Sequence, residues 1–279
     1  MKRIIGRRKR KKRMMIFACF IMFILLVILI ISSFNIIKWE LENKATDKQI
    51  NTINNNVTIT HKVDTDIVEI ILQEGDIPAG NPYWDYIGMS LLQVDFKNLK
   101  EINKDTKGWI SINGTNVNYP FVQGNDNNYY LTHSFDKSRN NAGWVYLDYR
   151  NNVNELDKNT IIYAHGRQDN TMFGSIRKIL SNGWLKNDDN FVIKMSTEYE
   201  NTLWQVFSVY RIPTTSDYLQ ISFYDEDEFL DFTKMLINRS GYNFKTEVYG
   251  NDKMLTLSTC YNDYDKIVMH AKLIKKESR

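Results

Sequence analysis

The chain has 279 residues, 43% hydrophobic and 25% charged, enough for one large or two small domains with a core of ordinary composition. Its net charge of +3 averages two unlike parts: residues 1–13 hold nine of the 36 Lys and Arg and no acid, leaving 27 bases against 33 acids, about −6, in residues 14–279. A mildly acidic body argues against a nucleic-acid-binding domain.

Behind the basic run, Met14 to Ile31 is eighteen apolar residues without a charge, and the apolar character continues through Phe34, Ile36 and Ile37. That length suits a transmembrane helix of about 20 residues. The rival, a cleaved signal peptide, has a shorter apolar region ending in small residues, and Ser32-Ser33-Phe34 is a poor version of such a site. The reading preferred here is an uncleaved anchor over 14–37. The positive-inside rule then keeps residues 1–13 cytoplasmic and puts residues 38–279 outside. Cys19 falls within the span, so Cys260 is the one thiol of the external part, unable to form an internal disulfide.

Residues 38–81 read as stalk and linker. Glu40 to about Thr65 is polar and Asn/Lys/Thr-rich, Asp66 to Glu74 has the spacing of one or two helical turns, and Gly75, Pro78, Gly80 and Pro82 break the chain. Apolar residues from Tyr83 to Ile102 are spaced mainly as a helix. From Gly108 short strands and turns take over: Trp109–Ile112, the Asn113-Gly114 hairpin dipeptide, Val117–Tyr119, Tyr119–Val122, Tyr129–Leu131, Gly143–Leu147, Thr160–Ala164, Phe191–Met195 and Leu203–Tyr210. Such a series predicts a closed barrel or a sandwich. Phe229, Phe232, Leu236 and Ile237, preceded by Asp225-Glu-Asp-Glu228 and followed by Arg239 and Gly241, predict one inserted helix. No repeat, phosphate-cradling glycine loop or metal-ligand spacing among four histidines and two cysteines is present, so no cofactor is expected.

Met254-Leu-Thr-Leu-Ser-Thr-Cys260 alternates as a half-buried strand, with Cys260 at its end and a returning strand over Ile267–Ile274. A cysteine there is either a mounted nucleophile or a small buried thiol. His165 ends its own strand in the same way, whereas His133 sits in a polar loop and His270 within the last strand, facing either side. A Cys and a His at two strand ends can meet across a sheet, the imidazole serving the thiolate as acid and base.

At these residues the chain resembles a known family. Thr256-Leu-Ser-Thr-Cys260 matches the TLxTC signature of sortases, and Thr160-Ile-Ile-Tyr-Ala-His165 with Thr171-Met-Phe-Gly174 looks like their histidine segment. Lys107-Gly-Trp-Ile110, Asn118-Tyr-Pro120, Asn128-Tyr-Tyr-Leu131 and Ala142–Arg150 are similar to the class B branch, over roughly residues 82–275. The resemblance implies a mainly β, eight-stranded sortase barrel over 82–279, with an N-terminal helix and a helix inserted before the cysteine strand. It also implies a cysteine transpeptidase on the outer face of a Gram-positive membrane. Cys260 would attack a Thr carbonyl in a C-terminal sorting signal, and His165 would protonate the leaving amine. A peptidoglycan amine would then take the acyl group. Asn127 and Leu131 would line one wall of the substrate groove, Thr214, Tyr218 and Leu219 would lie in a loop beside it, and Ser258 next to the nucleophile.

The chain departs from the family at two points. Alignment on Val268–Leu273 puts Lys266 where sortases carry an arginine that holds the substrate carbonyl and oxyanion, after a shorter loop. Lysine keeps the charge without the guanidinium fork, so it is either a substitute or a solvated edge residue. Ala164 and Gly166-Arg167 replace the residues usual around the histidine. Two other classes stay open: a papain-like hydrolase, whose Cys would precede its His and open a helix, and an anchored interaction module that has lost catalysis.

Overall fold

A computed structural model describes residues 2–62, 68–71, 77–78 and 80–279, with the side chains of 2–11, Lys62 and Asn182 outside the description. The chain forms two compact units, Met1–Lys48 and Gln49–Arg279. Helix α1, Lys2–Asn56, supplies the first. Its segment from Lys12 holds a stretch long and apolar enough to cross a membrane, and side chains such as Phe17, Met22 and Phe34 stand exposed along it. The polar residues after Trp39 continue as helix, and the last turns belong to the second unit, where Ile53 is buried and Gln49 Oε1 accepts from Phe135 N at 3.1 Å.

The second unit continues with β1 (Ile59–Lys62), β2 (Val68–Ile70), α2 (Tyr83–Ile87), β3 (Leu91–Val94), α3 (Lys97–Ile102), β4 (Thr106–Ile112) and β5 (Asn118–Val122). Then come β6 (Tyr146–Leu147), β7 (Asn159–Tyr163), α4 (Asn182–Leu185), β8 (Val192–Thr197), β9 (Glu200–Pro213), α5 (Glu226–Arg239), β10 (Met254–Cys260) and β11 (Asp265–Ser278). The order β10-β7-β6-β5-β4-β8-β9-β11 closes through the pairing of β10 with β11, which makes the eight-stranded barrel expected from the resemblance. Closure pairs the ladder edges that an open sheet would leave exposed. β2 extends the sheet beside β11, and β1 with β3 forms a separate ribbon.

Several expectations need correction. The single helix over Tyr83–Ile102 is two short helices around β3, because Leu91–Val94 pairs antiparallel with Ile59–Lys62. Tyr129–Leu131 is a turn of 3₁₀ helix rather than a strand, and of Gly143–Leu147 only Tyr146–Leu147 is paired. Of the turns expected at Asp66–Glu74, Val68–Ile70 is a strand held by Lys275–Glu277, while residues 63–67 and 72–76 lie outside the described residues. Gly114 takes the φ of +69° that an Asn-Gly turn requires.

Leu255, Leu257, Ile267 and Met269 pack inside the barrel among Trp109, Phe121 and Trp204. By alternation Thr256, Ser258 and Cys260 face outward. The helix α5 covers the middle of that outer face with Phe229, Phe232 and Leu236, against Phe207, Tyr210, Tyr218 and Val268. Its start is set by Asp225, whose carboxylate accepts from Glu228 N at 2.8 Å. The helix ends at Ser240, one residue before the glycine expected to stop it.

Candidate active site

Two strand ends meet at one end of the barrel because β7 and β10 run parallel. Their register pairs Met254 with Asn159 and Ser258 with Tyr163, and the same offset continues to Cys260 and His165. Parallel strands carry side chains of matched positions on one face, about 4.8 Å apart. Cys260 and His165 therefore project on the same outward face, both half-buried. Two features hold the strand ends together: Thr259 Oγ1 donates to Ala164 O at 2.8 Å, and a Cβ at position 166 would stand 1.9 Å from Cys260 O. Gly166 is thus the residue that lets the histidine loop approach the backbone of Cys260.

His165 Nε2 donates to Leu131 O at 2.8 Å, since a carbonyl can only accept. Gly143, at φ +61°, leaves room for the ring: a Cβ there would fall 2.6 Å from Tyr130 O and 3.0 Å from His165 Cδ2. The antiparallel register of β10 and β11 sets Lys266 opposite Cys260, and Lys266 Nζ donates to Cys260 Sγ at 2.9 Å. Two arginines that could have served in its place are engaged elsewhere. Arg167 binds Asp169 and Thr171, and Arg150 donates to both carboxylate oxygens of Asp148 at 2.9 Å.

The positions expected along a substrate groove fall into two groups. Tyr218 is buried, its hydroxyl 3.0 Å from Ser258 Oγ, and Leu219 O accepts from Arg150 at 3.1 Å. Thr214 is fixed by its N–H and hydroxyl to Tyr264 O at 2.8 and 2.9 Å. On the other side Leu131 borders His165, whereas Asn127 is spent on structure: it donates to Asp148 Oδ2 at 3.1 Å and accepts from Tyr149 N.

Sequence reasoning missed the acid that ties Asn127 to Arg150 and Tyr163. Asp148 is buried, and burial would raise its carboxyl, but donors from Arg150, Tyr163 and Asn127 overcome this and hold it below the usual carboxylate range. Tyr163, whose hydroxyl donates to Asp148 at 2.8 Å, and Tyr146 are both pushed far up, by burial first and then by the Asp148 charge. The Leu147-Asp-Tyr-Arg150 run carried the only hint, an acid and a base flanking a strand end. His133 is not simply solvated: Nδ1 bonds Tyr129 O at 2.8 Å and the ring stacks on Tyr129 at 4.0 Å. His270 faces outward on β11 but lies buried under α5, away from Cys260. Among the described residues no group of three or more His, Cys, Asp or Glu is placed to hold a metal ion.

Comparison with known proteins gives one consistent answer. The family model for the sortase domain matches residues 110–274. Sortase B of Listeria monocytogenes is 36% identical over 187 residues, 65% of this chain and 75% of that protein. A Bacillus anthracis crystal structure described as similar to sortase B superposes with a TM-score of 0.59 at 38% identity, covering 64% of this chain and 82% of that one. A Staphylococcus aureus sortase B–substrate complex gives 0.60 at 34% identity, covering 64% and 84%.

Proposed function

From the premise that this chain belongs to the sortase family, as a class B-like cysteine transpeptidase, we propose that Cys260, His165 and Lys266 carry a transpeptidation on C-terminal sorting signals. The observation that carries the reading is the meeting of Cys260 with Lys266 at 2.9 Å, level with His165 on the neighbouring strand end.

The Cys260 thiolate attacks the carbonyl carbon of a Thr in the sorting signal, and the oxyanion forms beside the Lys266 ammonium. When the C–N bond breaks, the leaving amine takes a proton from His165, whose Nδ1 is the ring nitrogen not spent on Leu131. The thioacyl-enzyme then meets a peptidoglycan amine, either of a precursor or of a cross-bridge. That amine gives its proton to His165 and attacks the same carbon, the C–S bond breaks, and the thiolate is restored. Leu131 borders the histidine side of the groove, and Thr214, Tyr218, Leu219 and Ser258 shape the other, where the acyl portion lies. The likeness to the S. aureus enzyme with bound substrate supports that assignment of the groove.

In this reading residues 14–37 anchor the protein once in the membrane, with 1–13 in the cytoplasm. Residues 38–81 connect the anchor to the catalytic domain, 82–279, on the outer surface. Wall attachment of surface proteins follows from that placement. The full chain in detergent micelles, given a sorting-motif peptide and an amine, is expected to show thiol-dependent amine exchange. Amine-independent hydrolysis alone points to a plain cysteine peptidase, and no turnover to an anchored interaction module. Protease added to intact protoplasts is expected to digest the region beyond residue 38 and spare the N-terminus; protection of the catalytic domain reverses the orientation.

A further inference from the structure

A second cationic site lies at the rim of the barrel, and the chemistry above makes no use of it. Arg177, Lys178, Ser181, Arg211, Tyr261 and Ile267 line an open cavity of about 520 Å³. Two guanidiniums approach one ring, with Arg211 Cζ 4.0 Å and Arg177 Cζ 5.3 Å from the Tyr261 centroid. Arg211 is ion-paired with Asp265, to which its Nε donates at 2.8 Å and its Nη2 donates as well. Arg177 has no ion pair among the described residues. Its Nη1 reaches Gly166 O at only 3.4 Å, and its Nε is buried without a hydrogen-bond partner. An orphaned guanidinium N–H is costly, and so is the approach of a second cation to the same ring. Lys178 adds an exposed charge. An anion in the cavity offsets the positive charge that Arg177, Lys178 and Arg211 bring to its lining, and the planar fork of a guanidinium suits a carboxylate or phosphate.

The location selects the ligand. Tyr261, which lines the cavity, directly follows Cys260, and Arg177 reaches the carbonyl of Gly166, the residue after His165. Ile267 belongs to the barrel core, whereas Ser258 faces outward on β10 and bonds Tyr218 in the loop before α5. The acyl portion held on the Tyr218 side leaves the other side of the cysteine for the amine partner. We propose that the cavity around Arg177 and Arg211 is an acceptor subsite that binds an acidic group carried by the incoming amine. This inference rests on the transpeptidase reading. The acid is either a carboxylate of a peptide acceptor or the diphosphate of a lipid-linked one.

The test uses the full chain in micelles with saturating sorting peptide and three acceptors: a short amino-peptide with a free C-terminal carboxylate, the same peptide as its amide, and an aminoalkyl diphosphate. The parent is expected to favour an acidic acceptor over the amide. Arg177→Gln should raise the acceptor KM for that acid by about ten- to a hundred-fold, with a smaller rise in Arg211→Gln. The amide KM, the sorting-peptide KM and amine-free hydrolysis should stay at parent values. Whichever acidic amine loses more in the variants identifies the source of the anion. If Arg177→Gln does not fold, Arg211→Gln and Lys178→Gln, at exposed positions, carry the same comparison. Equal KM for acid and amide in the parent, parallel losses for both, or a change confined to the sorting-peptide KM overturns the subsite. Absence of any thiol-dependent cleavage by the parent sinks the transpeptidase reading and this inference with it; normal cleavage without acceptor selectivity sinks this inference alone.

Discussion

The outer face of β10 and β11 carries two polar clusters of similar composition and opposite fate. At its open end stand Cys260 and Lys266, with His165 on the next strand, all half-buried. Under α5, on the same face, stand Thr256, His270 and Lys272, all buried. In the covered cluster every hydrogen bond is fixed by elimination. Asn159 Nδ2 donates to Gln220 O, so its Oδ1 accepts the Thr256 hydroxyl at 2.7 Å. Thr256 then accepts from His270 Nδ1–H at 2.9 Å, and Tyr210 donates to Nε2 at 2.9 Å. Burial, with Arg239 nearby, pushes the His270 pKa down to about 3. Lys272 is likewise pushed down by burial, although Asp252 at 3.1 Å opposes this. The open cluster is less bonded by contrast: the thiol accepts from Lys266, and His165 donates to the Leu131 carbonyl. Coverage by one helix separates a saturated structural network from groups left available for chemistry.

The largest expected effect tests the open end. Cys260→Ala is expected to abolish peptide cleavage while Tm stays within a few degrees, because a half-exposed thiol contributes little packing. Residual turnover near the parent level sinks the nucleophile assignment. Next comes Lys266. If its ammonium serves the developing oxyanion, Lys266→Ala should lower turnover by about 10²–10³, and Lys266→Arg should retain or improve it. Parent-like kinetics in Lys266→Ala would instead make it a solvated edge residue. Its 2.9 Å contact with Sγ, and the engagement of Arg150 and Arg167 elsewhere, favour the catalytic outcome.

The covered cluster should respond in stability rather than in chemistry. His270→Leu takes away the acceptor of the buried Tyr210 hydroxyl, a loss of about 1–3 kcal/mol when left unsatisfied, while Thr256 keeps its bond to Asn159. Denaturant melts should register that loss, with kcat of the folded fraction unchanged. The sign of the pH dependence follows from the depressed pKa. Between about 6.5 and 3 the unfolded chain binds a proton that the folded one refuses. Stability from this group is therefore full above about 6.5 and falls by about 1.4 kcal/mol per unit as pH drops through that window. His270→Leu should flatten that slope; an unchanged slope would mean that His270 protonates in place.

What the sequence made legible follows the range of the interactions involved. Met254–Cys260 and the helix at 225–239 were readable because alternation, acids in the first turn and a terminal arginine are local signals. The strand series allowed a closed barrel or a sandwich, and two strand ends allowed Cys260 and His165 to meet; the resemblance selected the eight-stranded barrel, since no local pattern states that β7 and β10 run parallel. The helix expected over 83–102 failed at Leu91–Val94, whose partner strand lies some thirty residues earlier. Asp148 was overlooked because its burial depends on donors from Asn127, Arg150 and Tyr163. The depth of His270 depends on α5, which is distant in sequence, so alternation alone left its facing open.

The smallest expected effect isolates the cover itself. Asp225 caps α5 by accepting from Glu228 N, and three acids follow in the first turn. Asp225→Ala removes one cap bond and one favourable charge near the helix N-terminus, about 1 kcal/mol in typical cases. The loss should appear as a modest shift of the unfolding midpoint with the slope of the transition retained. Its value lies in what should not change. Phe229, Phe232 and Leu236 still bury their rings and methyls against β9 and β10, so α5 stays in place and His270 stays covered. Cys260 and Lys266 lie past the covered region, and their kinetics should be those of the parent. A drop in kcat out of proportion to the lost stability would show that α5 governs the open end as well, and the division between a saturated middle and an available end would have to be redrawn.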